Sequence, residues 1–367
     1  MATPQQVAAV QVNRRRTFTA KFEENNVVNI GLPRDTVLVG LYLKLSGQVK
    51  YTYGSAPAAR AEGAMDALIG AVEVNTDTLG TIKYLRPQVL HAQQLAAFGD
   101  GSRKLYSAGA TGTDYPTTEG PFQFGTSGQT TSFSETVYLP FEQIFCEPGM
   151  GREETYLNTK RCSSANLKLY CLPLARLNTA AGASLVIDPT SKVQIEVTTV
   201  ERQDISGDVV FNVWKQIQKT ETFSSSVQDK AIEINTENKL SGLMFYSVNG
   251  NKMPTNKLVK KLVLKKNGQD NLQEIDFSSL QEVNRNDYRI NAPFAAGASR
   301  LDGFAHLNQI SRRDLRSILD TTKANGGIYS LQLFVTTNDG AVDASLYGVS
   351  GQTSDLYIIT EEITAGK

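Results

Sequence analysis

Residues 68–74 read Leu-Ile-Gly-Ala-Val-Glu-Val, and residues 258–264 read Leu-Val-Lys-Lys-Leu-Val-Leu. When the two segments are laid over each other, Ile82 falls opposite Leu272 at the same offset. A repeat of this kind indicates how many similar units the chain contains. The pairing predicts that the chain is built from two related halves.

Two more pairings follow the same order along the chain. Residues 29–45 resemble residues 233–248, and residues 156–159 (Tyr-Leu-Asn-Thr) match residues 318–321 (Ile-Leu-Asp-Thr). The offset between the halves shrinks along the chain, as expected if the first half carries an insertion. Residues 99–134 are rich in Gly, Thr and Ser and are interpreted as that insertion, a long loop with either a functional surface or a subunit contact.

Apolar and polar residues alternate with a period of two, which is typical of half-buried strands. Residues 193–198 read Val-Gln-Ile-Glu-Val-Thr, and residues 167–171 and 331–335 alternate in the same way. Helical patterns are few: one covers residues 86–98, and a second covers residues 312–325 with Ser311 as its cap. About eight strands in each half is the size of a jelly roll. The predicted fold class is therefore all-β, with two tandem eight-stranded jelly rolls (β-sandwiches), short helices and long loops.

The predicted domain organisation has three parts. Residues 1–16 form an N-terminal arm, residues 17–203 form jelly roll 1 with the long loop 99–134, and residues 204–367 form jelly roll 2. An immunoglobulin-like sandwich is not favoured, because no Cys–Trp–Cys pattern surrounds Trp214.

Composition limits the functional classes. Lys plus Arg and Asp plus Glu are 37 each, so the formal net charge is zero, and a protein that mainly coats nucleic acid should carry a basic excess. The cysteines are Cys146, Cys162 and Cys171, an odd number without paired spacing, which predicts reduced thiols in a protein folded in a cytoplasm. Apolar runs stay well below the roughly 18 residues that a membrane-spanning helix needs.

The sequence resembles the major capsid proteins of the double jelly-roll lineage, which includes tailless, membrane-containing bacterial viruses and the adenovirus hexon. The second half repeats the pattern of the first, so the resemblance extends from about Thr17 to Ile363. The segments that carry it are Phe22 with residues 30–35 (Ile-Gly-Leu-Pro-Arg-Asp), residues 68–74 with Ile82 and Leu85, residues 138–141 (Tyr-Leu-Pro-Phe), and residues 156–159.

The resemblance implies a structural major capsid protein in the virion. Its homotrimers would be pseudo-hexameric in outline, because each subunit supplies two upright jelly rolls, and they would tile an icosahedral shell over an internal membrane. The implied partners are further copies of the chain, a penton or minor capsid protein, and viral membrane lipid on the inner face. Sequence-specific nucleic acid binding is not expected, and loop 99–134 becomes an outward projection or an intersubunit clamp.

The candidate contact residues are Arg14, Arg15 and Arg16, which follow a polar leader. They are interpreted as an inner-face contact with lipid head groups, genome or a neighbouring capsomer, and the alternative is a solvated terminus. The lysine pairs 260–261 and 265–266 are interpreted as charges on an edge strand that discourage pairing with other strands. The arginine pair 312–313 is expected to contact carboxylates.

Enzymatic function is not expected, and neither catalytic, cofactor-binding nor metal-binding residues are predicted. His91 and His306 are the only histidines, and ligand spacing surrounds neither of them. No Gly-x-Ser-x-Gly or Walker motif occurs. Two alternatives remain. The first is a receptor- or carbohydrate-binding viral β-sandwich, and the second is a jelly-roll hydrolase or metal enzyme. The residues that could serve the first are Tyr51, Tyr53, Tyr106 and Tyr115.

Overall fold

The structure is a computed structural model of the 367-residue chain, and its description covers most of it. The described residues are 13–53, 63–98, 105–108, 114–117, 127–177, 185–250, 254–268, 270–288, 301–310, 313–318, 320–323, 327–347 and 352–366.

Strands dominate the described residues. The first half contains β1 (Asn13–Lys21), β2 (Val27–Gly31), β3 (Val37–Tyr53), β4 (Ile69–Thr76), β5 (Gly80–Leu85), β6 (Leu105–Ala108), β7 (Asp114–Thr117), β8 (Thr130–Pro140), β9 (Leu157–Asn158), β10 (Ala165–Cys171), β11 (Leu185–Ile187) and β12 (Lys192–Arg202). The second half contains β13 (Val213–Phe223), β14 (Lys230–Ile234), β15 (Lys239–Val248), β16 (Val259–Lys266), β17 (Asp270–Asp276), β18 (Phe304–Asn308), β19 (Leu331–Thr337) and β20 (Ser354–Thr364).

Three short α-helices accompany the strands in the described residues: α1 (Ala64–Leu68), α2 (Pro87–Phe98) and α3 (Phe277–Asp287). Helix α2 begins at Pro87, a residue suited to the first helical position because its fixed backbone angle matches the helix. It confirms the predicted helix at residues 86–98. Helix α3 was not predicted, and it buries Phe277, Leu280 and Asn284 on one face at helical spacing.

The first half forms a jelly roll. One sheet has the strand order β1-β12-β3-β8, and the facing sheet has the order β5-β4-β10-β2. The first and last strands are neighbours, since Asn13 pairs with Arg202 and Lys21 with Gln194. The hairpin β6–β7 extends the first sheet beyond β8.

The second half repeats this order strand for strand. One sheet has the order β13-β20-β15-β18, and the other has the order β14-β19-β16-β17. Strand β16 therefore occupies the position of β4, strand β17 that of β5, and strand β19 that of β10. The predicted fold class of two tandem jelly rolls is confirmed, and two of the sequence pairings, 68–74 with 258–264 and 29–45 with 233–248, are structurally equivalent segments.

The two jelly rolls share a continuous sheet. Strand β5 pairs with β13 in parallel, with Gln216 opposite Lys83 and Ile217 opposite Tyr84. One face of β15 contributes Leu243 and Phe245 to the second core, and the other contributes Met244 and Tyr246 to the first. Strand β15 is thus buried on both faces, which explains its nearly continuous apolar sequence.

Four expectations need correction. A continuous helix does not cover the described part of residues 312–325, because Leu315–Ser317 form a 3-10 turn and Ile318 forms a β-bridge with Ile310. Loop 99–134 contains β6, β7 and the start of β8. Strand β16 has neighbours on both sides, so the lysine pairs of residues 260–266 do not lie on an edge strand. Residues 14–16 belong to β1 rather than to an arm ahead of it, whereas the predicted boundary at residues 203–204 falls between β12 and β13.

Candidate functional site at the junction of the jelly rolls

A chain of buried polar side chains crosses the junction between the two jelly rolls. Lys83 Nζ of β5 donates to Gln216 Oε1 of β13 at 2.7 Å. Gln216 Nε2 donates to Glu361 Oε1 of β20 at 3.1 Å and to Gln93 Oε1 of helix α2 at 2.9 Å. Glu361 Oε2 lies 2.6 Å from His306 Nε2. These residues come from both halves of the chain, so the cluster forms only when the two jelly rolls pack together.

Lys83 is one end of this polar chain, and its side chain is completely buried. Burial lowers its pKa well below the usual value, and the charge of Glu361 opposes that effect. Its Nζ also lies 3.7 Å from the centre of the Trp214 ring. The environment therefore favours the neutral amine, which is a nucleophile, over the ammonium form.

His306 is held from the other side by Tyr288, whose hydroxyl group hydrogen-bonds to Nδ1 of the ring. Burial raises the pKa of Tyr288 well above its usual value, so this hydroxyl keeps its proton. When it donates to Nδ1, the imidazole proton lies on Nε2 and faces Glu361. The polar chain thus runs from Tyr288 through His306 and Glu361 to Gln216 and Lys83.

A second buried cluster surrounds the other histidine. Nδ1 of His91 lies 2.8 Å from Asp66 Oδ1, and its Nε2 lies 3.5 Å from Glu135 Oε1. The three donor groups lie within 4.8 Å of one another, as metal ligands can. However, Asp66 and Glu135 lie against different nitrogens of the His91 ring, so only one of the two carboxylates could share an ion with His91, and the other would orient the ring. Two protein ligands are fewer than zinc enzymes use, and the cluster is best described as a polar bridge between α1, α2 and β8.

The predicted arginines lie on β1, an edge strand, and they alternate between its two faces. Arg16 pairs with Asp35 and with the fully buried Glu201, at 2.5 Å and 2.7 Å. The hydrogen bond to Glu201 is the main reason why the pKa of Arg16 is raised, and the hydrogen bond from Arg16 lowers the pKa of Asp35. Arg14 lies 3.8 Å from Asp35. Arg15 points the other way and is exposed, without an ion pair to any residue that the structure describes.

Other charged residues noted in the sequence make contacts within the protein. Lys261 forms an ion pair with Glu274, and Lys265 lies over the Phe334 ring at 4.7 Å. Arg313 meets the expected carboxylate, because its guanidinium lies 2.6 Å from Glu147. Arg312, the other member of that pair, lies outside the described residues.

The three cysteines are free and buried, as the sequence predicted. Burial is the main reason why the pKa of Cys146 is raised to about 12 and that of Cys171 to about 11. The thiols of Cys146 and Cys171 are therefore protonated at neutral pH and behave as small apolar side chains.

The candidate aromatic platform for a carbohydrate is not assembled in the described residues. Tyr51 is completely buried, and the side chains of Tyr106 and Tyr115 lie outside the description. An open groove of about 1090 Å³ borders β1, β3, β8 and β12, but its two aromatic rings, Phe22 and Phe133, are buried. The groove therefore offers no exposed ring on which a sugar could stack, within the part of the chain described.

Membrane-spanning helices are not found: none among the described residues combines the length and apolar character needed to cross a bilayer.

The architecture and its junction define a double jelly roll, and comparisons with solved structures give the same result. A chain of the Sulfolobus Turreted Icosahedral Virus has a TM-score of 0.64 and 12% identity, covering 96% of this chain and 90% of that one. The major capsid protein P2 of bacteriophage PM2 has a TM-score of 0.55 and 9% identity, covering 97% and 98%. The Faustovirus major capsid protein has a TM-score of 0.58 and 7% identity, covering 100% and 92%. Neither a family model nor a curated protein matches the sequence. The double jelly-roll likeness inferred from sequence is thus confirmed, at the level of fold.

Proposed function

We propose that the chain is a major capsid protein, a structural subunit of a viral shell. The observation that carries the proposal is the match of both jelly rolls together, over nearly the full length of major capsid proteins from separate viruses. An agreement limited to one sandwich would be far less informative, because single β-sandwiches serve many functions.

Three copies would close into one tile with six similar corners. The two jelly rolls of each copy share the pairing between β5 and β13, so they stand side by side as one block. Three such blocks around a threefold axis give a closed ring of six sandwiches, and closed cyclic symmetry is usual for homo-oligomers. Lateral contacts between tiles, a penton or minor protein at the vertices, and an internal membrane complete the proposal.

Purified protein is expected to behave as a homotrimer. Light scattering coupled to size-exclusion chromatography should give three times the mass of the chain, and negative-stain images should show hexagonal outlines. A monodisperse monomer at micromolar concentration would contradict the proposed tile. Binding of the isolated protein on a glycan array would instead favour the carbohydrate-binding alternative.

Arg15 is expected to contribute to binding of an anionic membrane surface on the inner face of the shell. It is the member of residues 14–16 that is exposed on β1. A cation near such a surface contributes about 1 kcal/mol, or about a fivefold change in binding constant. We expect Arg15→Glu to reduce co-flotation of the trimer with phosphatidylserine vesicles at least fivefold at low salt.

The matched control is Arg285→Glu, which makes the same charge change at an exposed site on helix α3 of the second jelly roll. It should leave co-flotation unchanged. An equal loss in both variants would mean that net charge alone controls vesicle binding, and the assignment of Arg15 would then be abandoned.

A further inference from the structure

Lys83 and Gln216 face each other directly across the parallel strands that join the two jelly rolls. They are opposite residues in the register of β5 and β13, and the relative exposure of each is 0%. The lysine nitrogen lies 2.7 Å from the amide oxygen of Gln216. A carbonyl bond is about 1.2 Å long, so the amide carbon can be no more than about 4 Å from that nitrogen.

Glu361 lies on the other side of the Gln216 amide group, next to its nitrogen. Its carboxylate can exchange protons with that nitrogen. Its Oε1 accepts from Gln216 Nε2 at 3.1 Å, and its other oxygen lies 2.6 Å from His306. Its charge also acts on Lys83. A buried amine, a buried carboxamide and a buried carboxyl group are therefore placed together, and the described residues in contact with them, Gln93, Trp214 and His306, are buried as well.

We propose that Lys83 and Gln216 form a modification site, at which an intramolecular isopeptide bond joins the two jelly rolls covalently. The bond connects Nζ of Lys83 to the side-chain carbonyl carbon of Gln216. Glu361 is the acid–base group of the reaction, and no metal, cofactor or second protein takes part.

The chemistry balances with these groups alone. The neutral amine of Lys83 attacks the amide carbon of Gln216, forming the new C–N bond and a tetrahedral intermediate. The carboxylate of Glu361 accepts a proton from the attacking nitrogen and then donates it to the departing –NH₂ group. The original C–N bond breaks and one molecule of ammonia leaves. Glu361 ends in its starting state, and a secondary amide replaces the primary amide and the amine.

The surroundings favour each requirement of this reaction. Burial favours the neutral amine of Lys83 over its ammonium form. Strand pairing holds the nucleophile and the amide together before the reaction, which supplies most of the entropic advantage of an intramolecular step. The ring of Trp214, 1% exposed, covers Lys83 and limits competition from water.

Mass spectrometry of the full-length protein tests the proposal directly. The intact mass of folded, purified protein is expected to be lower than the mass of its sequence by one molecule of ammonia, in essentially all molecules. After proteolysis, fragmentation should identify a branched peptide that joins residue 83 to residue 216. An intact mass equal to that of the sequence, or a loss of ammonia located elsewhere, would overturn the proposal.

Variants separate the roles of Lys83 and Glu361. Lys83→Arg and Glu361→Gln should each restore the full sequence mass, the first by removing the nucleophile and the second by removing the proton acceptor. Lys168→Arg is the matched control, because Lys168 pairs with Glu73 on a partly exposed face of the same sheet, and it should keep the loss of ammonia. A branched peptide that persists in Glu361→Gln would overturn the role of Glu361. The wild-type measurement stands even if a variant fails to fold.

Discussion

Replacing Trp214 with alanine is expected to lower the free energy of unfolding by about 3–5 kcal/mol. Trp214 is 1% exposed and packs edge-on against Phe145, with ring centres 6.4 Å apart. It belongs to β13 of the second jelly roll but lies in the core of the first. Its loss removes a large apolar surface and leaves a cavity at the junction, so the mutation weakens the contact between the two jelly rolls as well as one core.

Urea unfolding followed by far-ultraviolet circular dichroism measures this effect, because Trp214 is the only tryptophan and its fluorescence disappears with the mutation. The control is Tyr329→Ala, an aromatic side chain that is 69% exposed and should change stability by no more than about 0.5 kcal/mol. Equal unfolding midpoints for Trp214→Ala and wild type would show that the junction contributes little to stability.

Replacing Gly242 with alanine is expected to destabilise the protein by about 2–4 kcal/mol. An added Cβ atom on this residue of β15 would lie 2.5 Å from both Glu361 Oε2 and His306 Nε2. Both side chains are 1% exposed and have no solvent space to move into. The extra methyl group therefore forces the two partners apart and disrupts the polar chain at its centre.

Gly31→Ala provides the comparison for that mutation, because it adds the same methyl group to another strand. Nothing lies within 4 Å of its added Cβ atom, and its backbone needs no positive φ. Thermal unfolding should shift clearly for Gly242→Ala and stay within about 0.5 kcal/mol of wild type for Gly31→Ala. Similar shifts in both variants would contradict the close packing described around Glu361.

Local sequence pattern was sufficient to predict the fold, because strands of a half-exposed sheet alternate with a period of two. Residues 193–198 show this alternation and lie in β12, with Val193, Ile195 and Val197 buried. The repeat between residues 68–74 and 258–264 was informative because both segments occupy the same position, β4 and β16, in their jelly rolls.

Helix α3 was missed because its sequence is mostly polar. Its apolar face consists essentially of Phe277 and Leu280, and Asp276 at its start was the available signal for an N-terminus. The prediction of a helix at residues 312–325 was wrong because the sequence there has a helical apolar pattern without forming one continuous helix. Apolar residues at helical spacing there serve other contacts: Leu315 lies in the first core and Ile318 packs against it.

The junction cluster could not be predicted, because its members are far apart in sequence. Lys83 and Gln216 are separated by 133 positions, and Gln216 and Glu361 by 145. Alternation would place Lys83 on the exposed face opposite Ile82, yet both are buried because the second jelly roll covers that face. The same applies to His91 and His306, which the sequence showed as isolated residues and the structure places against buried carboxylates.

The shared ladder between β5 and β13 has a mechanical consequence for any assembly of this chain. Twisting one sandwich against the other would break main-chain hydrogen bonds and expose Trp214, so each subunit should act as a stiff plate rather than a flexible pair. The curvature of the proposed shell would then have to arise from changes in the contacts between neighbouring copies.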